Sequence, residues 1–535
     1  MRTWAVRYLP LLVGLTTVLL LAAVLVWLSY GPEPERNDAG FATEDNRSDT
    51  EFNADSTSVA IESVPLLTAG TTVRTHLGVD PGDRVLYRIQ VPNDAVMVEL
   101  EITESPINVD LFVSHRSSFQ AGEPPQFVAQ TDAFRERLRL TPWDELPLEP
   151  GEYVVEVRAA SGETPRIEQR PVRGQVSLAL SFRLLRAEPV AALPWEKTET
   201  VELSQESGFA ALRKIVVPAE AETVRIDLFG TQTSLDMYLG REGPIVHGDN
   251  ALLVHDGWES RKWWRLTRDG VPPLQPDTYY LAIVDPAQSA MPIKANLRIS
   301  TSPEPPDELL RIPSWSSDVA GWQLAALATV EVLVEGAHGS GSGVIVTPTG
   351  LVLTNYHVVL TDTEQLAPAN GVLVAMTLDM RDPPQDLFRG TVILHDAQRD
   401  LALVQITEGF YHQPLDLGLR FPWLPLGDPD ALVPGDPLIV LGYPGIGGSS
   451  TRVSITLTRG VLSGFERRGE EIVWKTDADF HPGSSGGPVL DTAWRVVGLA
   501  SETAEELTSS GKIGWIRPLS SLPAAWRPLI TQGQW

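Results

Sequence analysis

The 535-residue chain has no cysteine. Disulfides and thiolate metal sites are therefore excluded, as is an N-terminal cysteine carrying lipid. Stability has to come from burial, and 43% hydrophobic residues supply several cores. Basic residues are scarce as well: 42 Lys and Arg stand against 69 Asp and Glu, a formal net charge of −27. Neutralising phosphates takes a basic stripe, so nucleic acid is excluded as a partner. The excess acid makes a solvated surface suited to a salty exterior. At about 150 residues per domain, the length allows roughly three or four domains.

Charge is absent from Tyr8 to Pro32. Within this stretch Leu9–Tyr30 is rich in Leu and Val and as long as the ~20 residues that span a bilayer. Arg2 and Arg7 precede it, and Glu33, Glu35, Asp38, Glu44 and Asp45 follow. That asymmetry predicts a cytoplasmic N-terminus (1–7), a membrane-spanning helix (8–30) and an extracytoplasmic remainder in a single-pass cell-membrane protein. The apolar run exceeds that of a signal peptide and ends Val-Trp-Leu-Ser-Tyr, a poor cleavage site, so an uncleaved anchor is expected. Residues 31–63, polar and acidic, are expected to be a disordered tether.

An internal duplication fills residues 64–302. Leu86–Pro92 aligns with Leu212–Pro218, Val98–Ile102 with Val224–Leu228, Val109–Val113 with Leu235–Leu239, and Pro147–Tyr153 with Pro273–Tyr279. Each pair is offset by 126 residues, for example 212 − 86. A constant offset over four segments marks a repeat. The segments alternate apolar and polar residues between Gly, Pro and Asp, which reads as strands. Two β-sandwiches are predicted, 64–187 and 188–302. Asp110 and Asp236 are candidate calcium ligands, with Asp80 and Asp83 as further candidates, but solvent-facing strand acids are the favoured reading. Trp258, Trp263 and Trp264 are read as partly buried packing with Arg261 and Lys262 snorkelling beside them. Residues 303–318 form a Pro-rich linker. Asp318–Leu327 and Leu519–Ile530 are predicted helices flanking the last domain, 319–535.

That last domain carries the chemistry. His481-Pro482-Gly483-Ser484-Ser485-Gly486-Gly487-Pro488 joins a hydroxyl nucleophile to glycines that let backbone N–H groups converge. Upstream stand Thr354-Asn355-Tyr356-His357-Val358-Val359 and Asp400-Leu401-Ala402-Leu403-Val404. The order is His, Asp, Ser, with gaps of 43 (400 − 357) and 85 (485 − 400) residues. His357, Asp400 and Ser485 are thus candidates for base, orienting acid and nucleophile. Three such residues, correctly ordered among strand-like segments, outweigh separate readings as core histidine, strand cap and linker. His395 and Asp396 are assigned to a surface turn.

With Gly339–Ile345, Leu426-Gly427-Asp428, Leu441–Pro444, Thr458-Arg459-Gly460 and Thr476-Asp477-Ala478 in order, residues 325–530 resemble the trypsin-like serine peptidases, most closely the bacterial HtrA/Deg branch. The resemblance implies a mainly β fold with a double β-barrel and a serine endopeptidase acting on proteins or peptides without a cofactor or metal. It places the oxyanion hole at the backbone N–H groups of Gly483 and Ser485, and selects Ser485 over Ser484, where the family often has Asn. Ser501 matches the hydroxyl that supports the aspartate. Asp479, Phe480, Ser501 and Gly514 are the implied pocket residues. Asp479 would favour Lys or Arg and an inward Phe480 small apolar residues, and the sequence leaves both open. HtrA relatives usually carry PDZ domains after the protease; the sequence stops at Trp535, and none is expected. The repeats resemble bacterial pre-peptidase C-terminal domains, which implies a possible protein ligand. The alternative from another class is a catalytically silent protease-fold sensor at the cell surface.

Overall fold

The computed structural model describes residues 61–535 except 81–82, 122, 131–134, 161–165, 168–169, 172–173, 188, 249, 317, 446–451, 470, 480, 502–512 and 533–535. The anchor and tether predicted over 8–63 lie outside the described residues up to residue 60. Among the described residues no helix is long and apolar enough to cross a membrane.

Residues 71–186 form two four-stranded antiparallel sheets. One runs Thr71–Gly78, Gln175–Arg186, Ala95–Ile102, Arg137–Leu140; the other Arg84–Val91, Gly151–Ala159, Val109–His115, Phe127–Ala129. One core draws on both, with Leu100 and Leu180 from the first and Ile89 and Val155 from the second. Residues 198–300 repeat this order strand for strand. Even the register recurs at the same offset: Arg84 pairs with Arg158 and Ala210 with Val284. The Pro-x-x-Tyr element has a role in both copies. The Tyr153 hydroxyl accepts from the Glu149 N–H and that of Tyr279 from the Gln275 N–H, 3.1 and 3.0 Å, pinning the turn before a central strand.

Two readings of the repeats are corrected. Asp110 and Asp236 do not face solvent; each is 8% exposed. Burial raises both carboxyls, Asp236 to about 7, so each favours its neutral form more than a cation ligand would. Lys262 does not snorkel. It is wholly buried, with its ammonium on the Gly257 carbonyl and beside Glu259, because a repeat-2 edge is covered by the next domain.

That domain is a pair of closed six-stranded barrels. The first contains Thr329–Val334, Ser340–Ile345, Leu351–Thr354, Val372–Met376, Gln385–Asp396 and Leu401–Gly409; the second Pro437–Gly442, Thr456–Arg468, Glu471–Thr476, Pro488–Leu490, Val496–Ala500 and Gly514–Pro518. Each has a core, and a third cluster joins them through Leu353, Leu403, Leu441 and Leu499 under Trp526 and Ile530. Loops between the barrels can therefore meet along the seam.

The flanking helices are shorter than predicted. The first is Trp322–Ala328, starting after Gly321, whose φ of 62° is left-handed and ends the preceding extended chain. Over 519–530 the chain makes one tight turn, Leu519–Ser521, then a helix Arg527–Gln532. Pro523 forces Leu522 into extended backbone and interrupts the expected helix. The segment read as a linker is partly structured: Asp307–Leu310 is helical and Leu309 is buried beside Leu333 and Phe410.

Candidate active site

His357 opens a short turn directly after the strand Leu351–Thr354. Asn355 ties this turn to the strand Leu401–Gly409 by donating Nδ2 to the Asp400 carbonyl, 2.7 Å. Asp400 sits just before that strand with φ of 52°. Asp tolerates this region better than most side chains, at a cost that strand pairing and local bonds must offset. The conformation turns its carboxylate onto His357. Oδ1 accepts from the His357 N–H at 3.1 Å, and both oxygens lie 3.0 Å from Nδ1. The Ser501 hydroxyl donates to Oδ2 at 3.2 Å from the second barrel. A carboxylate so placed selects the tautomer with the proton on Nδ1 and leaves Nε2 as an acceptor.

Ser485 is buried in the loop before Pro488–Leu490. Its carbonyl accepts from the Ser342 N–H at 2.7 Å. Gly483, two residues earlier, has φ of 95°, and a Cβ there would stand 2.3 Å from the Tyr443 carbonyl oxygen. Only glycine fits this conformation and contact together. The loop is closed by Ser484 N–H to the His481 carbonyl and Gly487 N–H to the Ser484 carbonyl, each 2.9 Å. A cleft of about 740 Å³ brings His357, Asp400, Gly483 and Ser485 to one surface, with Tyr356 and Arg517 on its walls.

The neighbouring serine faces elsewhere. Ser484 lines a second cavity of about 210 Å³ with Asp479, His481, Thr456 and Thr458, and its Oγ accepts from the His481 N–H at 3.4 Å. Among the implied pocket residues that are described, Asp479 alone lines this cavity. Ser501 is on Asp400, Gly514 is paired with Thr476 in a strand, and Phe480 lies outside the described residues. His395 stacks on Tyr356, ring centroids 5.2 Å apart, and Asp396 holds Arg399 at 2.6 Å.

Residues 341–499 match the model of the trypsin-like peptidase domain. This part of the chain resembles the trypsin-like serine peptidases of the HtrA branch. Protease Do-like 1, chloroplastic, of Arabidopsis thaliana is 27% identical over 214 residues, 38% of this chain and 42% of that protein. Serine protease Do-like HtrA of Bacillus subtilis is 30% identical over 213 residues, 37% of this chain and 40% of that protein. The match therefore spans about two fifths of the length of these relatives. Among solved structures, the HtrA-type protease AlgW with tripeptide is 26% identical, with 40% of this chain and 65% of that chain covered at a TM-score of 0.29.

One important residue of the site carried no motif in the sequence. Ser342 is fully buried, donates Oγ to the Gly483 carbonyl at 2.7 Å and accepts from the Tyr443 N–H at 3.0 Å. It thereby fixes the Gly483 peptide from the opposite barrel. The signal was the run Gly339-Ser340-Gly341-Ser342-Gly343, where alternate glycines mark close backbone approach.

Proposed function

We propose that the chain is a serine endopeptidase working through His357, Asp400 and Ser485. The observation that carries this reading is the Asp400-oriented His357 ring sharing one cleft with Ser485. Ser485 Oγ attacks the scissile carbonyl carbon while His357 Nε2 takes its proton. The oxyanion is received by the N–H groups of Gly483 and Ser485. The tetrahedral intermediate collapses, the C–N bond breaks, and His357 returns the proton to the leaving amine. Water then enters by the same route and releases the acid from the acyl-enzyme. The bent Gly483 backbone, held by Ser342, supports its place in the oxyanion hole. Asp479 and Ser484 are proposed to line the pocket for the residue cleaved after, with a carboxylate that selects Lys or Arg.

The remainder of the architecture is proposed from the sequence and the sheets together. Residues 8–30 anchor the chain with 319–535 on the extracytoplasmic side, and 64–187 and 188–302 are tandem β-sandwiches that hold the protease away from the bilayer and offer a protein-binding surface. Peptide libraries varied at the cleaved residue, turned over by the full chain and by Ser485→Ala, test the reading. Wild-type cleavage after Lys or Arg with a dead variant supports it. Absence of any wild-type cleavage would favour the silent sensor.

A further inference from the structure

Repeat 2 touches the protease at several points, among them Gln232 with Asp382 and Trp263 with His412, and through five consecutive residues, Asp256–Ser260, of the loop between the strands Leu253–His255 and Lys262–Thr267. Each makes its own contact. Asp256 stands 3.8 Å from His338 Nε2. Gly257 lies flat on Gly336, where a Cβ would fall 3.0 Å from its Cα. Trp258 donates its N–H to the Ala337 carbonyl at 3.4 Å and packs its ring beside Leu309 and Leu333. Glu259 accepts the Gly336 N–H at 2.7 Å. Ser260 donates both its N–H and its hydroxyl to Asp386 Oδ2, each 2.8 Å.

Four of these contacts end on one turn, Gly336–His338, between the first two barrel strands. The same turn borders the catalytic cleft, which Val334, Ala337, Gly339 and Ser340 help to line. Its far side is tied to the cleft as well, because Asp362, another lining residue, accepts from the His338 N–H at 3.1 Å and meets its ring at 2.8 Å. The contacts are built to last: Ser260 and Glu259 are buried, and burial opposed by the His255 hydrogen bond and the Lys262 charge leaves Glu259 ionised with a pKa of about 2.

The direction of the cleft follows from the proposed chemistry, on which this inference rests. The leaving amine takes its proton from His357, so the substrate segment after the scissile bond departs on the His357 side. Leu360, Asp362 and Ala337 of the turn line the same cleft as His357, whereas Asp479 lines a separate cavity with Ser484. We infer that Asp256–Ser260 of repeat 2 is a positioning element for the leaving-group half of the substrate, holding the cleft wall that this half of the peptide contacts. Repeat 2 is then part of the recognition apparatus of the protease as well as a spacer.

The test compares two substrates with the same acyl side, one carrying a nitroanilide leaving group and one extending four residues beyond the cleaved bond. Full-length Gly257→Ala sets a Cβ 2.3 Å from the Glu259 carboxylate and 3.0 Å from the Gly336 Cα, disturbing two holds on the turn at once; full-length Ser260→Ala removes the hydroxyl bond to Asp386 and keeps the N–H bond; full-length Asp256→Ala alters only a half-exposed contact and spares the fold. A misplaced wall is expected to lower kcat/KM on the extended peptide roughly tenfold or more in Gly257→Ala, through KM, while nitroanilide turnover stays at the wild-type level. Ser260→Ala and Asp256→Ala should follow in the same direction with smaller losses. Equal losses on both substrates would reduce the segment to a structural role and overturn the inference, as would no loss on either. A wild-type protein that cleaves neither substrate would instead bring down the serine-peptidase reading and this inference with it.

Discussion

Asp400 holds the His357 ring and backbone with one carboxylate, while Ser501 holds Asp400 from the other barrel. Two consequences are separable. Asp400→Asn keeps the shape but loses the acceptor for the Nδ1 proton, and turnover is expected to fall by about 10⁴ in initial-rate assays. Ser501→Ala removes one bond to a carboxylate that keeps its other contacts, so the loss should be far smaller, on the order of tenfold. Gly483→Ala is a different kind of change. Its φ of 95° and the Tyr443 oxygen 2.3 Å from a Cβ force the loop to move, and the N–H moves with it. Loss of one oxyanion donor costs roughly 10²–10³ in kcat, and that is the loss expected at pH 8 with peptide substrate. The motifs made these residues legible because catalysis demands particular types in a particular order. Ser342 was not legible in the same way, since a serine in a glycine run looks like any turn until its partner loop is known.

Between elements the decisive contacts are ionic and buried. Arg452 is wholly buried between Glu331 and Asp386, at 2.9 Å from each, and so ties the loop between the first two strands of the second barrel to two strands of the first. Arg452→Met would leave two carboxylates without their cation and should cost about 3–5 kcal/mol in urea unfolding. Changing Glu331 to Gln as well should recover part of that loss. None of this could be read from the sequence, where Arg452, Glu331 and Lys262 look like surface residues. Burial of a charge is decided by what packs over it, and for Arg452 those partners lie 121 and 66 residues away in sequence. Strands fared better. The repeat was visible because its offset of 126 residues is kept in the register itself, as with Arg84–Arg158 and Ala210–Val284. Helix ends were misjudged where Gly321 and Pro523 set the backbone against the apolar pattern.

Across the whole molecule, the repeats and the paired barrels are joined by contacts that no sequence motif marks. Trp143 of repeat 1 donates Nε1 to the Val246 carbonyl of repeat 2 at 2.7 Å, and Asp256–Ser260 are among the repeat-2 residues that meet the barrel domain. His338 makes that second junction sensitive to pH. Its bond to Asp362, with the nearby Asp256 and Asp236 charges, raises its pKa above the ordinary value. A raised histidine contributes fully below its unfolded pKa of about 6.5, and the contribution is lost as pH rises through the higher folded value. The melting temperature of His338→Ala should therefore lie below wild type at pH 5.5 and approach it by pH 9, in a differential scan at fixed ionic strength. The difference should be small, because His338 is half exposed and its ion pairs are screened by solvent.

The most direct measurement is labelling of the full chain with a fluorophosphonate, followed by mass mapping of the adduct. The account predicts one adduct, on Ser485, that disappears in Ser485→Ala and persists in Ser484→Ala. An adduct on Ser484, or none on a folded wild-type protein, would contradict it.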